Sequence, residues 1–340
     1  MFALRHAPGL LPCCFLGGLL LPPAAFPQAA SAGGHAVMAA QATAPSPVLR
    51  QSLDDAWWTG PMLANSAATL PRGHFLVEPY VYDVSSPHAD GFGSLTYLLY
   101  GLTDRLTVGL VPVLGYNRLD NAPGSSGIGL GDVSVQAQYR LTEFHEGSAL
   151  PTISVMLQET LPTGKYDRLG NRPADGLGGG AATTTLQLNT QTYFWLANGR
   201  ILRMRLNVAQ SFSSRASVQD VSVYGTAEGF RGHARPGRSF YVNAAWEYSL
   251  SQRWVLALDV TYRRCHGTRV RGYEPLDGDG DGMPTMPIHR NSGISEAFGF
   301  APAIEYSWSA NLGLLLGTRL ITGRNTTTTI TPAVALNYVH

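Results

Sequence analysis

The sequence predicts an all-β fold: a transmembrane antiparallel up-and-down β-barrel of about twelve strands, preceded by an exported N-terminus. Three observations predict it. From Gly73 onward, segments of about 10–13 residues alternate apolar and polar side chains. The connections between these segments are short and long by turns. The first 32 residues have the make-up of a secretory signal.

Composition sets the class. Of 340 residues, 44% are hydrophobic and only 14% are charged, with 38 glycines. That charge content is low for a water-soluble chain of this length. The formal net charge is +1, and nearly all the cations are arginines, whose charge is fixed. There is no basic block, so no nucleic-acid partner is expected.

The N-terminal element begins with Arg5 and the apolar run Gly9–Phe26. Pro12, Pro22 and Pro23 interrupt that run, which argues against a spanning helix. Residues 1–32 are therefore expected to be a signal peptide. Ala30-Ser31-Ala32 offers a cleavage site, and Ala40-Gln41-Ala42 also fits. Cleavage takes away two of three cysteines and leaves Cys265 without a disulfide partner. Residues 33–72, Ala- and Pro-rich at their start, are expected to be a periplasmic linker or plug segment, with the barrel over 73–340. Trp57 and Trp58 in this segment suit an interfacial anchor, or alternatively a plug or lid.

Strands are expected near 74–83, 93–102, 106–117, 129–141, 151–162, 182–196, 201–213, 239–250, 254–265, 294–308, 312–322 and 327–339. Tight turns join several of them: Thr103–Arg105, Ala197–Arg200, Ser251–Arg253 and Ser309–Asn311. The long polar connections are 118–129, 165–180, 214–238 and 266–293. The turn between the fourth and fifth strands is longer than this alternation predicts, and the loop between the last two is shorter. Outer-membrane barrels sort their loops this way, with short periplasmic turns and long external loops. An even strand number puts both termini in the periplasm.

The strand faces agree. Over 202–212, Leu202, Met204, Leu206, Val208 and Phe212 oppose Arg203, Arg205, Asn207 and Ser211. Over 256–263, Leu256, Leu258, Val260 and Tyr262 oppose Asp259, Thr261 and Arg263. Aromatics near the strand ends, among them Tyr116, Tyr139, Phe194, Tyr306, Trp308 and Tyr338, suit interfacial girdles.

The stretches Asp55–Val84 (with "WWTGP" and "EPY"), Tyr100–Pro112 ("GLTDR"), Gly129–Leu141 and Gln158–Asp167 ("LPTG") resemble a known family. It is the bacterial outer-membrane β-barrel transporter family of the MetA-pathway of phenol degradation. The resemblance covers most of residues 55–340 and implies a transmembrane barrel with a channel-like role. It does not imply phenol as the solute.

The candidate lumen lining is Arg140, Arg203, Arg205, Glu247, Asp259, Arg263, Glu305 and Arg319. Such charges either select solutes, as charge rings do in channels, or pair across a narrow barrel and fill it. The acidic run Asp277, Asp279 and Asp281 begins like an EF-hand loop, but Ile288 stands at its twelfth position, where a bidentate Glu is needed. It is read as the tip of an external loop, with divalent-ion binding as the alternative. Cys265-His266 lacks the further spaced ligands of a metal site. No catalytic motif and no cofactor are expected.

The function expected is a channel or transporter for small solutes, hydrophobic or aromatic ones included. The alternatives are a structural or adhesive barrel, an outer-membrane barrel enzyme, and a soluble secreted β-protein. Expected partners are outer-membrane lipids and lipopolysaccharide, the barrel-assembly machinery and the solute.

Overall fold

The computed structural model describes residues 49–275 and 285–340. The expected signal peptide and Asp277, Asp279 and Asp281 lie outside the described residues. The strands in chain order are β1 (Phe75–Ser86), β2 (Ala89–Thr103), β3 (Leu106–Val111), β4 (Val113–Leu119), β5 (Gly129–Leu130), β6 (Val133–Thr142), β7 (Thr152–Leu161), β8 (Thr183–Trp195) and β9 (Ile201–Ser213). They continue as β10 (Ala216–Gln219), β11 (Arg231–Arg235), β12 (Ser239–Ser249), β13 (Trp254–Cys265), β14 (Arg269–Pro275), β15 (Thr285–Asn291), β16 (Ser295–Ser309), β17 (Leu312–Arg324) and β18 (Thr329–Val339).

Among the described residues, fourteen of these pair as one antiparallel sheet that closes on itself, because β1 pairs with both β18 and β2. The result is a barrel of twelve staves. Two staves are broken. Pro112 has no N–H for the ladder and separates β3 from β4. Gly131 and Asp132 separate β5 from β6, where the Asp132 carboxylate accepts from the N–H groups of Gly164 (3.0 Å) and Gly179 (2.7 Å). Closure leaves no free edge, as a barrel in hydrocarbon requires. At the seam the N–H of Phe75 donates to the carbonyl of His340, and the N–H of His340 donates back to the carbonyl of Phe75.

The alternation now has a direction. Phe92, Leu98, Leu186, Leu188, Leu206, Phe212, Phe300, Leu316, Leu320 and Leu336 are exposed around the outside. So large an apolar belt marks a lipid-facing wall. The intervening residues point inward and are buried, including Gln138, Asn189, Asn207, Asn243 and Thr261. No helix among the described residues is long and apolar enough to cross a membrane.

Three expectations need correction. The first two staves run on through 84–92, beyond the strand ends expected near 83 and 93, so only Pro87 and His88 form the turn between β1 and β2. The expected third and fourth strands are each broken, as described. The long connections 214–238 and 266–293 are not plain loops: they carry β10, β11, β14 and β15, which pair as a separate four-stranded sheet. One face of that sheet buries Ala216, Val218, Ala234, Val270 and Ile288 with Phe230 and Tyr224.

Candidate functional site: the barrel interior and its N-terminal insert

Inside the barrel the side chains are of two kinds. The staves β6 to β13 present polar groups. On the other side, Tyr80 and Tyr82 of β1, Leu95 and Tyr97 of β2, Leu315 of β17 and Ala333 and Ala335 of β18 make an apolar, aromatic strip. The Tyr80 and Tyr97 rings meet edge to face at 6.1 Å.

Residues 51–70 lie against both walls at the short-turn end. This segment has no ladder partner, so the wall must satisfy its backbone groups. Trp57 N–H donates to the Gln252 carbonyl at 2.8 Å, and Trp195 Nε1 donates to the Gln51 carbonyl at 2.7 Å. Glu305 Oε2 accepts from Thr59 N–H and Oγ1 (both 2.8 Å) and from Gly60 N–H (3.1 Å). Asp259 accepts from Leu63 N–H at 3.1 Å and from Asn243 Nδ2 at 2.9 Å. Arg205 donates to the Ala64 carbonyl (2.8 Å), Asn207 to that of Asn65 (3.0 Å), and Gln138 to those of Ser66 and Ala68 (3.0 and 3.1 Å). Thr107 Oγ1 accepts from Leu70 N–H at 2.8 Å. Met62 enters the apolar strip beside Leu315 and Ala333. At Gly101 an added Cβ would lie 2.1 Å from the Pro71 carbonyl oxygen, so the wall itself is shaped to let this segment pass.

The predicted residues divide into three groups. Arg203 and Glu247 are register partners on β9 and β12 and form a two-point ion pair, while Arg205 reaches the same carboxylate at 3.0 Å. Together with Asp259 and Glu305 they are buried and surround the insert. Arg263 and Arg319 are also buried, on β13 and β17, and the Arg263 guanidinium lies 5.9 Å from the Tyr241 ring. Arg140 stands apart, paired with Glu143 at 2.7 Å where β6 enters its turn. Trp58 does not behave as an interfacial anchor: its ring lies 4.4 Å from the guanidinium of buried Arg203, a cation–π contact on the lumen side.

Sequence reasoning missed Glu78, Tyr80, Tyr82, Tyr97 and Asn337; Gln138 and Asn207 were legible as polar-face residues of their strands but not as part of the insert's seat. Asn337 donates to Glu78 at 3.0 Å and to the Thr59 carbonyl at 3.4 Å. The period-two spacing of Glu78, Tyr80 and Tyr82 was the available signal.

A closed antiparallel barrel with an apolar belt outside and polar groups inside defines a transmembrane protein of the outer-membrane class. The family model described as "Putative MetA-pathway of phenol degradation" matches residues 60–338, and the chain belongs to that family. Among solved structures it is similar to the COG4313 outer membrane channel from Pseudomonas putida F1. The two are 17% identical, with 81% of this chain and 98% of that one covered and a TM-score of 0.60. More distant are the β domain of the Bordetella autotransporter BrkA (11% identity, 78% and 99% covered, TM-score 0.43) and a TodX monoaromatic hydrocarbon channel carrying a deletion (11% identity, 84% and 96% covered, TM-score 0.42). At 17% identity, the likeness to the COG4313 channel shows the fold alone. No curated protein matches the chain.

Proposed function

We propose that the chain is an outer-membrane channel for small solutes, apolar and aromatic ones among them, with residues 51–70 as a plug in its short-turn end. The observation that carries this reading is the two-sided interior. Within the polar wall, Gln136 Oε1, Ser154 Oγ, Asn207 Oδ1 and Asn243 Oδ1 are buried without a protein hydrogen-bond partner among the described residues. Buried polar groups of that kind call for hydration. Opposite them the strip of Tyr80, Tyr82, Leu95 and Tyr97 offers a surface for an apolar or aromatic solute. Family membership and the similar barrel, itself named an outer membrane channel, support the same reading.

Arg203, Arg205, Glu247, Asp259 and Glu305 act in this proposal as the plug's seat, and Arg140, Arg263 and Arg319 as charges along the lumen. Residues 1–32 serve as a cleaved export signal, and the barrel-assembly machinery inserts the mature chain into a membrane whose outer leaflet carries lipopolysaccharide. Catalysis has no part in it.

Solute flux into liposomes tests the proposal. The folded protein, and more so a variant lacking residues 49–66, should admit a monoaromatic solute. No flux above that of empty liposomes from either protein would sink it.

A further inference from the structure

The sheet β10–β11–β14–β15 stands directly beyond the staves β9, β12, β13 and β16, joined to them by two to three residues at most connections. Its even-numbered face packs on Ala181, Tyr166 and Tyr224. Ala181 and Tyr166 belong to the connection 162–182, whose Leu177 lies against the inward side of Gly115 and Gly129. That face therefore looks over the barrel mouth, and the odd-numbered face looks away from the barrel axis.

The odd-numbered face is basic. Arg231 and Arg235 of β11, Arg269 and Arg271 of β14 and His289 of β15 are exposed on it, and His233 is half-buried. Arg235 is the direct cross-strand partner of Arg269, and His233 of Arg271. Like charges directly opposite on a sheet repel. No carboxylate among the described residues forms an ion pair with any of the four arginines, whereas the sheet's Glu274 sits on the other face, paired with Arg290 at 3.0 Å. Burial, and then the charges of Arg215 and Arg271, hold the His233 imidazole below its ordinary range. The outward Phe212, Phe240 and Phe298 at the adjoining stave ends are exposed, so the basic face begins where the apolar belt stops.

We propose that this face docks the phosphate groups of the lipopolysaccharide in the surrounding outer leaflet. Charge complementarity and position both select that occupant. Arg235 and Arg269 sit directly opposite on neighbouring strands, whose backbones lie about 4.8 Å apart, so their two forks suit a phosphate bound between them. The inference rests on the long-loop end facing outward, as in the channel reading, but not on transport.

Binding of the purified, detergent-folded full chain to lipopolysaccharide and to its chemically dephosphorylated form tests it, with heat-modifiable gel migration as the check on folding. A surface cation near an anionic leaflet is worth about fivefold in binding. Changing all four arginines together (Arg231→Gln, Arg235→Gln, Arg269→Gln, Arg271→Gln) should weaken binding by at least about tenfold after screening by salt. The matching set of Arg→Lys changes should keep most of it. The wild-type chain should prefer the phosphorylated glycolipid, which needs no variant to fold. Equal binding of the dephosphorylated form, or unchanged binding by the folded Gln variant, would overturn the proposal. Inorganic phosphate bound as tightly as the glycolipid would assign the face to a free solute and overturn it too.

Discussion

Glu305→Ala should loosen the plug locally without opening the barrel wall. One carboxylate oxygen of Glu305 accepts three hydrogen bonds from the insert, two from Thr59 and one from Gly60, at 2.8, 2.8 and 3.1 Å. A hydrogen bond to a charged acceptor contributes about 1.5–3 kcal/mol, and water recovers part of that once the segment detaches. Taking about 1 kcal/mol net for each bond gives about 3 kcal/mol, or roughly a hundredfold rise in the detached population of residues 59–62. The bonds from Asp259, Arg205, Asn207 and Gln138 to residues 63–68 remain, so the release is confined to that stretch. Met62 lies within it, buried against Leu315 and Ala333. In a Met62→Cys, Cys265→Ser background, thiol labelling from the short-turn side reads the detached fraction. The Glu305→Ala chain should label between ten- and a hundredfold faster, in the approximate range set by those bonds. Equal labelling rates with and without Glu305 would refute the idea that this carboxylate seats the plug.

Other consequences are simpler to state. Arg203→Ala leaves Glu247 with Arg205 alone and removes the contact with Trp58, so stability should fall by about 3–5 kcal/mol, read from urea unfolding in lipid vesicles. Gly178→Ala places a Cβ 2.4 Å from the Gly164 carbonyl oxygen, backbone against backbone, so the two arms of the connection 162–182 should be forced apart and gain protease sensitivity. The Asp175 carboxyl is held below its ordinary range, first by the Ser126 backbone N–H at 2.7 Å. A depressed carboxyl stabilises the fold above its unfolded value, and that contribution is lost as pH falls below about 4. The hydrogen-exchange protection of Ser126, corrected for the intrinsic pH dependence of exchange, should therefore fall at acid pH in the wild-type chain but not in Asp175→Asn.

The staves were legible because lipid and water on opposite faces impose a strict period of two. Leu202 to Phe212 shows that period plainly, and β9 covers it. The breaks at Pro112 and at Gly131-Asp132 were written in residue types known to interrupt ladders, yet the flanking alternation concealed them. The outer sheet was invisible for another reason. Arg231–Arg235 is five residues long with only Ala234 buried, so burial there comes from Phe230 and the neighbouring loops, not from alternation along the strand. The insert has no periodic signature at all. Its extended backbone is held by wall side chains distant in sequence, and pairings such as Thr59 with Glu305 cannot be read from local pattern. For the lumen charges, the inward parity of Arg203, Arg205, Glu247, Asp259 and Glu305 was readable, but their contact with the chain's own N-terminal segment was not.

The most direct test of a plugged channel is single-channel recording in planar bilayers with the full mature chain and with the variant lacking residues 49–66. The account predicts small or rare openings from the full chain, and larger, long-lived ones once the segment that Glu305, Asp259 and Arg205 hold is gone. A folded truncated barrel that conducts no more than the full chain would contradict it.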